Sequence, residues 1–307
     1  MNQTPTHPKK PDRKSACAMA ITLTLWASAF VGIRYAGADF TPGALALGRL
    51  LAGAAGLGAI MVLRREGLPP RTAWPGILGV GFFWFGLYTV ALNWGEQHAD
   101  AGTAALIVCI GPIFLALLSG WLLHEGFPPQ LFIGLAIAFA GTAIVGWSSG
   151  HGTNTVFGIL LCLVAAAGYA IGVTAQKTAL KDASALQVTT FGCAVGAVAC
   201  LPFAGQLITD LATAPTGSTL VMLYLGLFPS ALAFYTWAFA LSRTTAGRLG
   251  TTTYVVPLLV VLLSWLLLSE APTLLALAGG ALSLAGVAIS RTKWKRQAHT
   301  GIPEAID

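Results

Sequence analysis

A long internal repeat constrains the fold of this chain more than any other sequence feature. A shift of 145 residues carries Ala101 onto Ala246, and the match runs without a gap to Ile144 on Ile289. The two copies agree at Pro112 and Pro257, Glu125 and Glu270, Gly134 and Gly279, and Gly141 and Gly286. A repeat of such long period indicates two duplicated halves and not a solenoid of short units. We therefore expect the functional site to lie between the halves.

Apolar runs recur along nearly the whole chain, each close to the roughly 20 residues that cross a bilayer. Only 9% of the 307 residues are charged, against about 25% in soluble domains. The runs are continuously apolar, whereas the strands of a membrane β-barrel alternate apolar and polar residues. The sequence predicts an all-α polytopic membrane protein with ten transmembrane helices in two inverted five-helix repeats. The predicted spans are 15–33, 42–63, 74–94, 101–123, 129–147, 156–175, 187–208, 218–240, 247–268 and 273–290.

The spans divide the chain into two halves and two tails. We expect an N-terminal tail at 1–14, a first repeat at 15–147, a second at 148–290 and a C-terminal tail at 291–307. The first apolar run has the features of a signal peptide, but losing it would leave one half a helix short, so we interpret it as a retained helix. Loops are short and leave no room for an extramembrane catalytic domain.

Basic residues set the predicted orientation. Lysines and arginines concentrate on the side of the N-terminus, whereas the opposite side carries Arg34, which predicts cytoplasmic termini and an inner-membrane location in a bacterium. Five helices per half invert the second half relative to the first. Inverted repeats are a recurrent build of secondary transporters, with the substrate near the midplane at the repeat interface.

The sequence lacks the features of several functional classes. The five cysteines fall in apolar segments without a CxxC pair or a Cys/His cluster, so we expect no disulfide and no metal site. The chain has no GxxxxGK[ST] nucleotide-binding loop, so we expect no nucleotide-hydrolysing site and no cofactor. The net charge of +6 comes from helix ends, so we expect a lipid bilayer and not a nucleic acid as partner.

The motifs together resemble the EamA type of the drug/metabolite transporter superfamily over about residues 16–290. Helix one carries LWASAF at 25–30, the Pro112 and Pro257 segments carry a proline–glutamate–glycine pattern twice, and AFYTWA stands at 233–238. Ser269 stands where the family usually has glycine before its glutamate, a departure we expect to be harmless. The resemblance implies ten helices, a central cavity between the halves, and export or exchange of small metabolites.

Arg49 is the basic residue predicted deepest in a span, about 10 Å inside the outer boundary at 1.5 Å per residue from Pro42. An intramembrane arginine is costly and marks a functional site by default, here for a carboxylate or phosphate. Two structural alternatives are pairing with Glu96 or Asp100 of the predicted outer loop, and snorkelling. No acidic residue is predicted deep in a span, so a proton relay has little sequence support.

Aromatic residues with polar tips, together with two small polar residues, are the other substrate-binding candidates, because binding sites combine apolar walls with a few polar groups. The alternative for each is lipid-facing packing or the interfacial belt. The set comprises Trp26, Ser28, Trp84, Tyr88, Asn93, Tyr169, Tyr235, Trp237 and Tyr254.

Paired prolines and glutamates are the gating or structural candidates. Pro112 and Pro257 each remove a backbone hydrogen bond within a span, which predicts a gating hinge or a fixed kink. Glu125 and Glu270 lie at helix ends, where they either carry coupling protons or cap backbone N–H groups.

The sequence favours a secondary-active exporter or exchanger of a small-molecule substrate, amino-acid-like or otherwise carboxylate-bearing, working by alternating access. A proton is the candidate coupling ion, and the sequence indicates no particular oligomeric state. The rival classes are a non-transporting membrane scaffold or receptor and a membrane-embedded enzyme.

Overall fold

A computed structural model of the chain describes residues 13–122, 129–148, 156–243, 249, 252–270 and 272–290. Glu125, residues 1–12 of the predicted N-terminal tail and the whole predicted C-terminal tail lie outside these residues. The described part is helical and contains no strand. Its helices are α1 (Arg13–Ala36), α2 (Pro42–Leu63), α3 (Arg71–His98), α4a (Ala101–Val108), α4b (Gly111–Leu122), α5 (Pro129–Ser148), α6 (Val156–Ala179), α7a (Ala185–Ala199), α7b (Leu201–Thr213), α8 (Thr216–Arg243), α9 (Val256–Leu268) and α10 (Leu274–Ser290).

Five helices, α1, α2, α3, α6 and α8, are each long and apolar enough to cross a membrane. The α7a–α7b pair passes the same test as one broken span, and shorter apolar helices lie where the remaining spans are predicted. The helical, multi-span fold predicted from the sequence is confirmed. The continuous seventh span predicted at 187–208 is wrong, because the chain bends by 52° between Ala199 and Leu201. Pro202 follows at once and disfavours a helical conformation in the residue before it.

The halves pack on each other as a pseudo-twofold pair. Helix α1 contacts α8 and α9, whereas α6, its counterpart under the 145-residue shift, contacts α3 and α4b. The shift carries α3 onto α8 and α4b onto α9, so these contacts of α1 have their counterparts in the contacts of α6. Helices α2 and α7a pack together at the centre. This exchange of partners is what two inverted repeats produce.

Glycine contacts between α5 and α10 show that the two halves are inverted relative to each other. A Cβ on Gly141 would lie 2.5 Å from the carbonyl oxygen of Gly279, and one on Gly286 would lie 2.6 Å from that of Gly134. The repeat shift turns the first contact into the second, which is the isologous pattern of a twofold axis. The pairing also runs in opposite chain directions, so the two helices are antiparallel. Small residues thus permit the close helix approach seen in membranes.

The widened helical turns also come in a repeat-related pair. Val80–Tyr88 within α3 and Gly226–Leu232 within α8 form π-helix, and the shift carries Gly81 onto Gly226. A Cβ on Gly226 would lie 2.4 Å from the carbonyl oxygen of Arg49, so only glycine lets α8 approach α2 so closely. Short π segments occur frequently at functional sites. These two face the interior between the halves.

Candidate substrate site

A cavity of about 70 Å³ lies between the two halves, in the interior of the bundle. The first half contributes α1 to α4b, and the second contributes α6, α8 and the start of α9. The wall is apolar and aromatic apart from a few polar side chains, as expected of a binding pocket. It is lined by Trp26, Ala29, Phe30, Ile33, Arg49, Trp84, Tyr88, Leu92, Ala105, Val108, Cys109, Pro112, Tyr169, Phe234, Thr253 and Val256.

An interrupted helix of the first half and the start of a helix of the second half meet at this cavity. The helix from Ala101 stops at Val108 and restarts at Gly111, just before Pro112. In the second half a 3-10 turn at Thr253–Val255 precedes α9, with Pro257 in its first turn. A proline in the first turn lacks an N–H that would be unpaired there anyway. Both predicted proline sites therefore lie in the first turn of a helix, and Pro112 itself lines the cavity.

Arg49 brings a positive charge into this apolar wall. Its residue is 5% exposed; the Nε donates to the Ser230 hydroxyl at 3.0 Å, and Nη1 donates to Asn93 Oδ1 at 3.5 Å. Both partners are neutral. Throughout the described chain no carboxylate oxygen lies within 4.0 Å of its guanidinium nitrogens. Arg49 is thus held in place by hydrogen bonds while its charge stays without a counter-ion.

The pairing of Arg49 with Asp100 or Glu96, one of the two structural alternatives, is not seen among the described residues. The Asp100 carboxylate instead caps α4a, accepting from the Thr103 backbone N–H at 2.8 Å and from the Thr103 hydroxyl at 2.7 Å. Glu96 is not in a loop, because α3 continues past the predicted end at 94 to His98. Its residue is 1% exposed, and it lies within electrostatic range of Arg49 without touching it.

Asn93 fixes the position of Arg49 relative to the helix ends. Its side-chain amide donates to the Pro42 carbonyl at 3.1 Å, while its Oδ1 accepts from Arg49. The amide therefore links α3 to both the first turn and the second turn of α2. The predicted polar residue at 93 is a support for the cation at the cavity wall and not itself part of the lining.

Aromatic rings close the cavity on the side away from Pro42. Trp84 is at the centre, with ring centroids 4.7 Å from Phe234, 5.2 Å from Tyr169, 6.0 Å from Trp26 and 6.0 Å from Trp237. Rings at these separations attract through edge-to-face contacts as well as by burial. The Trp26 and Trp237 Nε1 atoms have no hydrogen-bond partner among the described residues.

A second, wider cleft of about 700 Å³ opens at the opposite side of Arg49, at the end of the bundle where α2 and α8 begin and α3 ends. We call this cleft the vestibule. Its wall is more polar than that of the cavity and includes Arg34, Asp39, Glu96, Gln97 and Glu270. Glu96 is on this wall and one helical turn from Asn93, so it lies between the vestibule and the cation of the cavity.

Glu270 forms an ion pair across this vestibule. Its two carboxylate oxygens accept from Arg34 Nε at 3.0 and 3.3 Å, and Arg34 Nη1 also donates to the Glu96 carbonyl at 3.0 Å. The side chain of Glu270 therefore bonds α1 of the first half, and no backbone N–H among the described residues donates to it. The Ser269 backbone before it is left-handed, with φ of 55°.

Four of the predicted binding residues do not line the cavity. The Ser28 hydroxyl bonds the Tyr224 hydroxyl at 2.7 Å. The Tyr235 hydroxyl accepts from Arg64 at 3.3 Å, at the far end of α2. Trp237 is fully buried behind Trp26, and Asn93 supports Arg49. The Tyr254 side chain, like Glu125, lies outside what the structure describes.

Sequence reasoning missed several residues that the fold brings to the site. Ser230 and Phe234 lie on the π segment and following turn of α8. Cys109 lies at the break between α4a and α4b, and Thr253 begins the 3-10 turn before α9. One signal for Glu96 was available: it follows Asn93 by three residues and so shares its helix face. The helix simply extends one turn further than the apolar run.

A helical membrane protein with two inverted halves, an interrupted helix and a buried cation at a central cavity has the build of a transporter. The EamA-like transporter family model matches residues 13–147 and 156–292. The chain belongs to this family.

Curated relatives are similar over nearly their whole length. An uncharacterized transporter, YdfC of Bacillus subtilis, is 35% identical over 89% of this chain and 90% of its own. A probable terminal-alkyne amino-acid exporter of Streptantibioticus cattleyicolor is 34% identical, covering 94% and 98%. A solved structure with 21% identity and a TM-score of 0.61 shares the fold over 91% of this chain and 96% of its own. The protein is a membrane transporter.

Proposed function

We propose that this chain is a secondary-active exporter or exchanger of small carboxylate-bearing metabolites, amino-acid-like solutes among them, and that it works by alternating access. The observation that carries the proposal is Arg49, a buried arginine at the wall of a cavity between the two halves, with no ion pair to any residue that the structure describes. The name of the amino-acid exporter from Streptantibioticus cattleyicolor agrees with this class of substrate.

The energetics of Arg49 favour an anionic ligand. Burying a charge without a counter-ion is costly, and the partners Ser230 and Asn93 offset only part of that cost. A substrate carboxylate would complete the compensation, because arginine presents planar paired donors that match a carboxylate. The aromatic wall around Trp84 would then hold the apolar remainder of the substrate.

The two compartments favour alternating access. The vestibule approaches Arg49 from the Pro42 end, whereas the aromatic rings close the cavity on the other side. With the orientation predicted from the basic residues, the vestibule faces the outside. Inverted halves can exchange their conformations and so open the same site to the inside. The chain carries no nucleotide-binding loop, so a solute or ion gradient would supply the driving force.

Transport by reconstituted protein tests the proposal. Proteoliposomes would be given a panel of labelled amino acids and related carboxylates, with and without an imposed proton gradient. We expect saturable flux that Arg49→Ala lowers by tenfold or more, since truncating one partner of a buried charge pair costs about 2–5 kcal/mol and about 1.4 kcal/mol is tenfold. Arg64→Ala is the matched control, because Arg64 is exposed and contacts Tyr235 away from the cavity.

Two outcomes would contradict the proposal. Flux by Arg49→Ala equal to that of the wild type, with the same amount of folded protein, would return Arg49 to a structural role. No flux for any member of the panel by well-folded wild-type protein would favour the non-transporting scaffold or receptor.

A further inference from the structure

Glu96 is a buried carboxylate that the described fold leaves without a hydrogen-bond partner. Both carboxylate oxygens are buried, and neither has a partner among the described side chains and backbone. The next residue behaves differently: the Gln97 amide donates to the Gly37 and Phe40 carbonyls at 3.0 and 3.1 Å. Hydrogen-bond acceptors for a polar side chain are therefore available at this helix end. Glu96, in contrast, is buried without a hydrogen-bond partner among the described residues.

The surroundings of Glu96 contain charges of both signs. Arg34 of α1 and Arg49 of α2 lie within electrostatic range, as do the acidic Asp100 before α4a and Glu270 after α9. Two other titratable groups face it, Tyr88 on its own helix and Cys162 on α6. Arg34 donates to Glu270 and to the Glu96 carbonyl, and Arg49 donates to Ser230 and Asn93. Neither arginine donates to the Glu96 side chain.

The position of Glu96 links it to the cation of the cavity. Asn93, which accepts from Arg49, precedes Glu96 by one helical turn, so their side chains are neighbours at a Cβ separation of roughly 5–6 Å. On its other side the residue borders the vestibule, although its two carboxylate oxygens are themselves buried. A ligand whose carboxylate binds Arg49 would thus have Glu96 within reach of a cationic group a few bonds away.

We propose that Glu96 is the proton-exchange site of the transporter: it carries a proton when the site is empty and exchanges that proton for the ammonium group of a zwitterionic substrate whose carboxylate binds Arg49. This inference rests on the proposed transport function and gives its substrate a definite chemistry. An apolar amino acid fits the combination of one cation, one exchangeable carboxyl group and an aromatic wall.

The exchange balances in protons and charge. As the zwitterion enters, the Glu96 carboxyl group gives its proton to water, and the carboxylate accepts hydrogen bonds from the substrate ammonium group while Arg49 donates to the substrate carboxylate. When the substrate leaves through the vestibule, the carboxylate takes one proton from the water there. One proton thus moves inward for each zwitterion that is exported, and one net positive charge moves inward per cycle.

Carbodiimide labelling tests the proton site without requiring transport. Dicyclohexylcarbodiimide adds to a protonated, buried carboxyl group and leaves a stable N-acylurea, which peptide mass spectrometry locates. We expect Glu96 of the full chain to be modified, and to be modified less as the pH is raised. Glu96→Gln removes the modification, and Gln97→Ala, a change at the adjacent residue, retains it. Wild-type protein that stays unmodified at Glu96 at every pH would overturn the proposal.

Protection by defined probes tests the exchange. L-Leucine and L-phenylalanine should suppress labelling of Glu96, whereas N-acetyl-L-leucine, which has the carboxylate and lacks the ammonium group, should not. Equal protection by the acetylated probe, or no protection by any amino acid of the transport panel, would overturn the assignment of Glu96 as the ammonium site.

Proteoliposomes separate the failure of this inference from the failure of transport. For a panel member that the wild type accumulates, Glu96→Gln should lose the accumulation driven by a proton gradient. Proton-driven accumulation by Glu96→Gln equal to that of the wild type would overturn the role of Glu96 and leave the transporter intact. Absence of flux in the wild type would instead contradict the proposed function, while the labelling still reports whether Glu96 exchanges a proton.

Discussion

Arg34 and Glu270 join the two halves of the protein at the mouth of the vestibule, with Arg34 Nε 3.0 Å from Glu270 Oε1. Arg34 is near the end of α1, and Glu270 is two residues beyond the end of α9 in the other half. The pair lies where a movement of one half against the other would change the width of the vestibule.

Breaking this pair should alter the opening of the vestibule more than the stability of the fold. The two side chains are 22% and 30% exposed, and partly exposed pairs contribute about 0.2–1 kcal/mol. We expect Arg34→Gln and Glu270→Gln each to change Tm slightly and to raise the rate at which a small maleimide modifies Cys109 in the cavity. The charge-exchanged double variant Arg34→Glu/Glu270→Arg should restore slow modification. Unchanged labelling in both single variants would contradict a gating role.

The glycine seam between α5 and α10 should not tolerate a methyl group. Gly141→Ala would place Cβ 2.5 Å from the Gly279 carbonyl oxygen, and such overpacking costs about 1–3 kcal/mol. We expect a lower Tm of the purified protein. Gly58→Ala is the matched control, because nothing lies within 4 Å of a Cβ there; its Tm should stay unchanged or rise. Equal effects of the two substitutions would argue against close packing at the seam.

Glycine at position 269 should stabilise the protein. Ser269 ends α9 with φ of 55° and ψ of 23°, and the left-handed conformation costs a non-glycine residue about 1–2 kcal/mol. We expect Ser269→Gly to raise the free energy of unfolding by about 1 kcal/mol, as measured by thermal or denaturant unfolding. Ser242→Gly, within the α-helical part of α8 at Ala233–Arg243, should lower it instead. A destabilising Ser269→Gly would mean that the serine side chain contributes more than its backbone conformation costs.

Ser230 should matter to transport because it supports Arg49. Removing the hydroxyl in Ser230→Ala leaves Arg49 Nε without its 3.0 Å acceptor, and a hydrogen bond to a charged group contributes about 1.5–3 kcal/mol. We expect transport to fall by roughly tenfold, through a higher KM or a lower maximal rate. Ser28→Ala, which removes a hydroxyl bonded to Tyr224 away from the cavity, should transport normally. Equal transport by both variants would contradict the support role.

Helix positions were largely predictable from the sequence, because runs of apolar residues report directly on the bilayer. The break between Ala199 and Leu201 was missed because the run continues through Pro202, and hydropathy does not register a proline bend. Glu96 was placed in a loop for the converse reason: the apolar run ends before the helix does. In both cases the local backbone preference, and not the hydropathy, decided the outcome.

The site was predictable only in part. Arg49, Trp84 and Tyr88 could be singled out by residue type and depth, and they line the cavity. Ser28 and Tyr235 have equally suitable side chains, but the rotation of their helices turns them to other partners. Ser230 and Thr253 come from the second half, and no local pattern indicates which of its polar residues face the first. Those contacts depend on the packing of the two halves.

The symmetric α5–α10 seam has a consequence for how such a chain could originate. Because the Gly141–Gly279 contact maps onto the Gly286–Gly134 contact, two identical copies of one helix would fit together as well as these two similar ones do. An ancestral gene for one half, whose product inserted in both membrane orientations, would already have contained both sides of this interface. Duplication and fusion of that gene would then have fixed the stoichiometry and left each side free to diverge, as Arg49, with alanine at its repeat-equivalent position 194, has done.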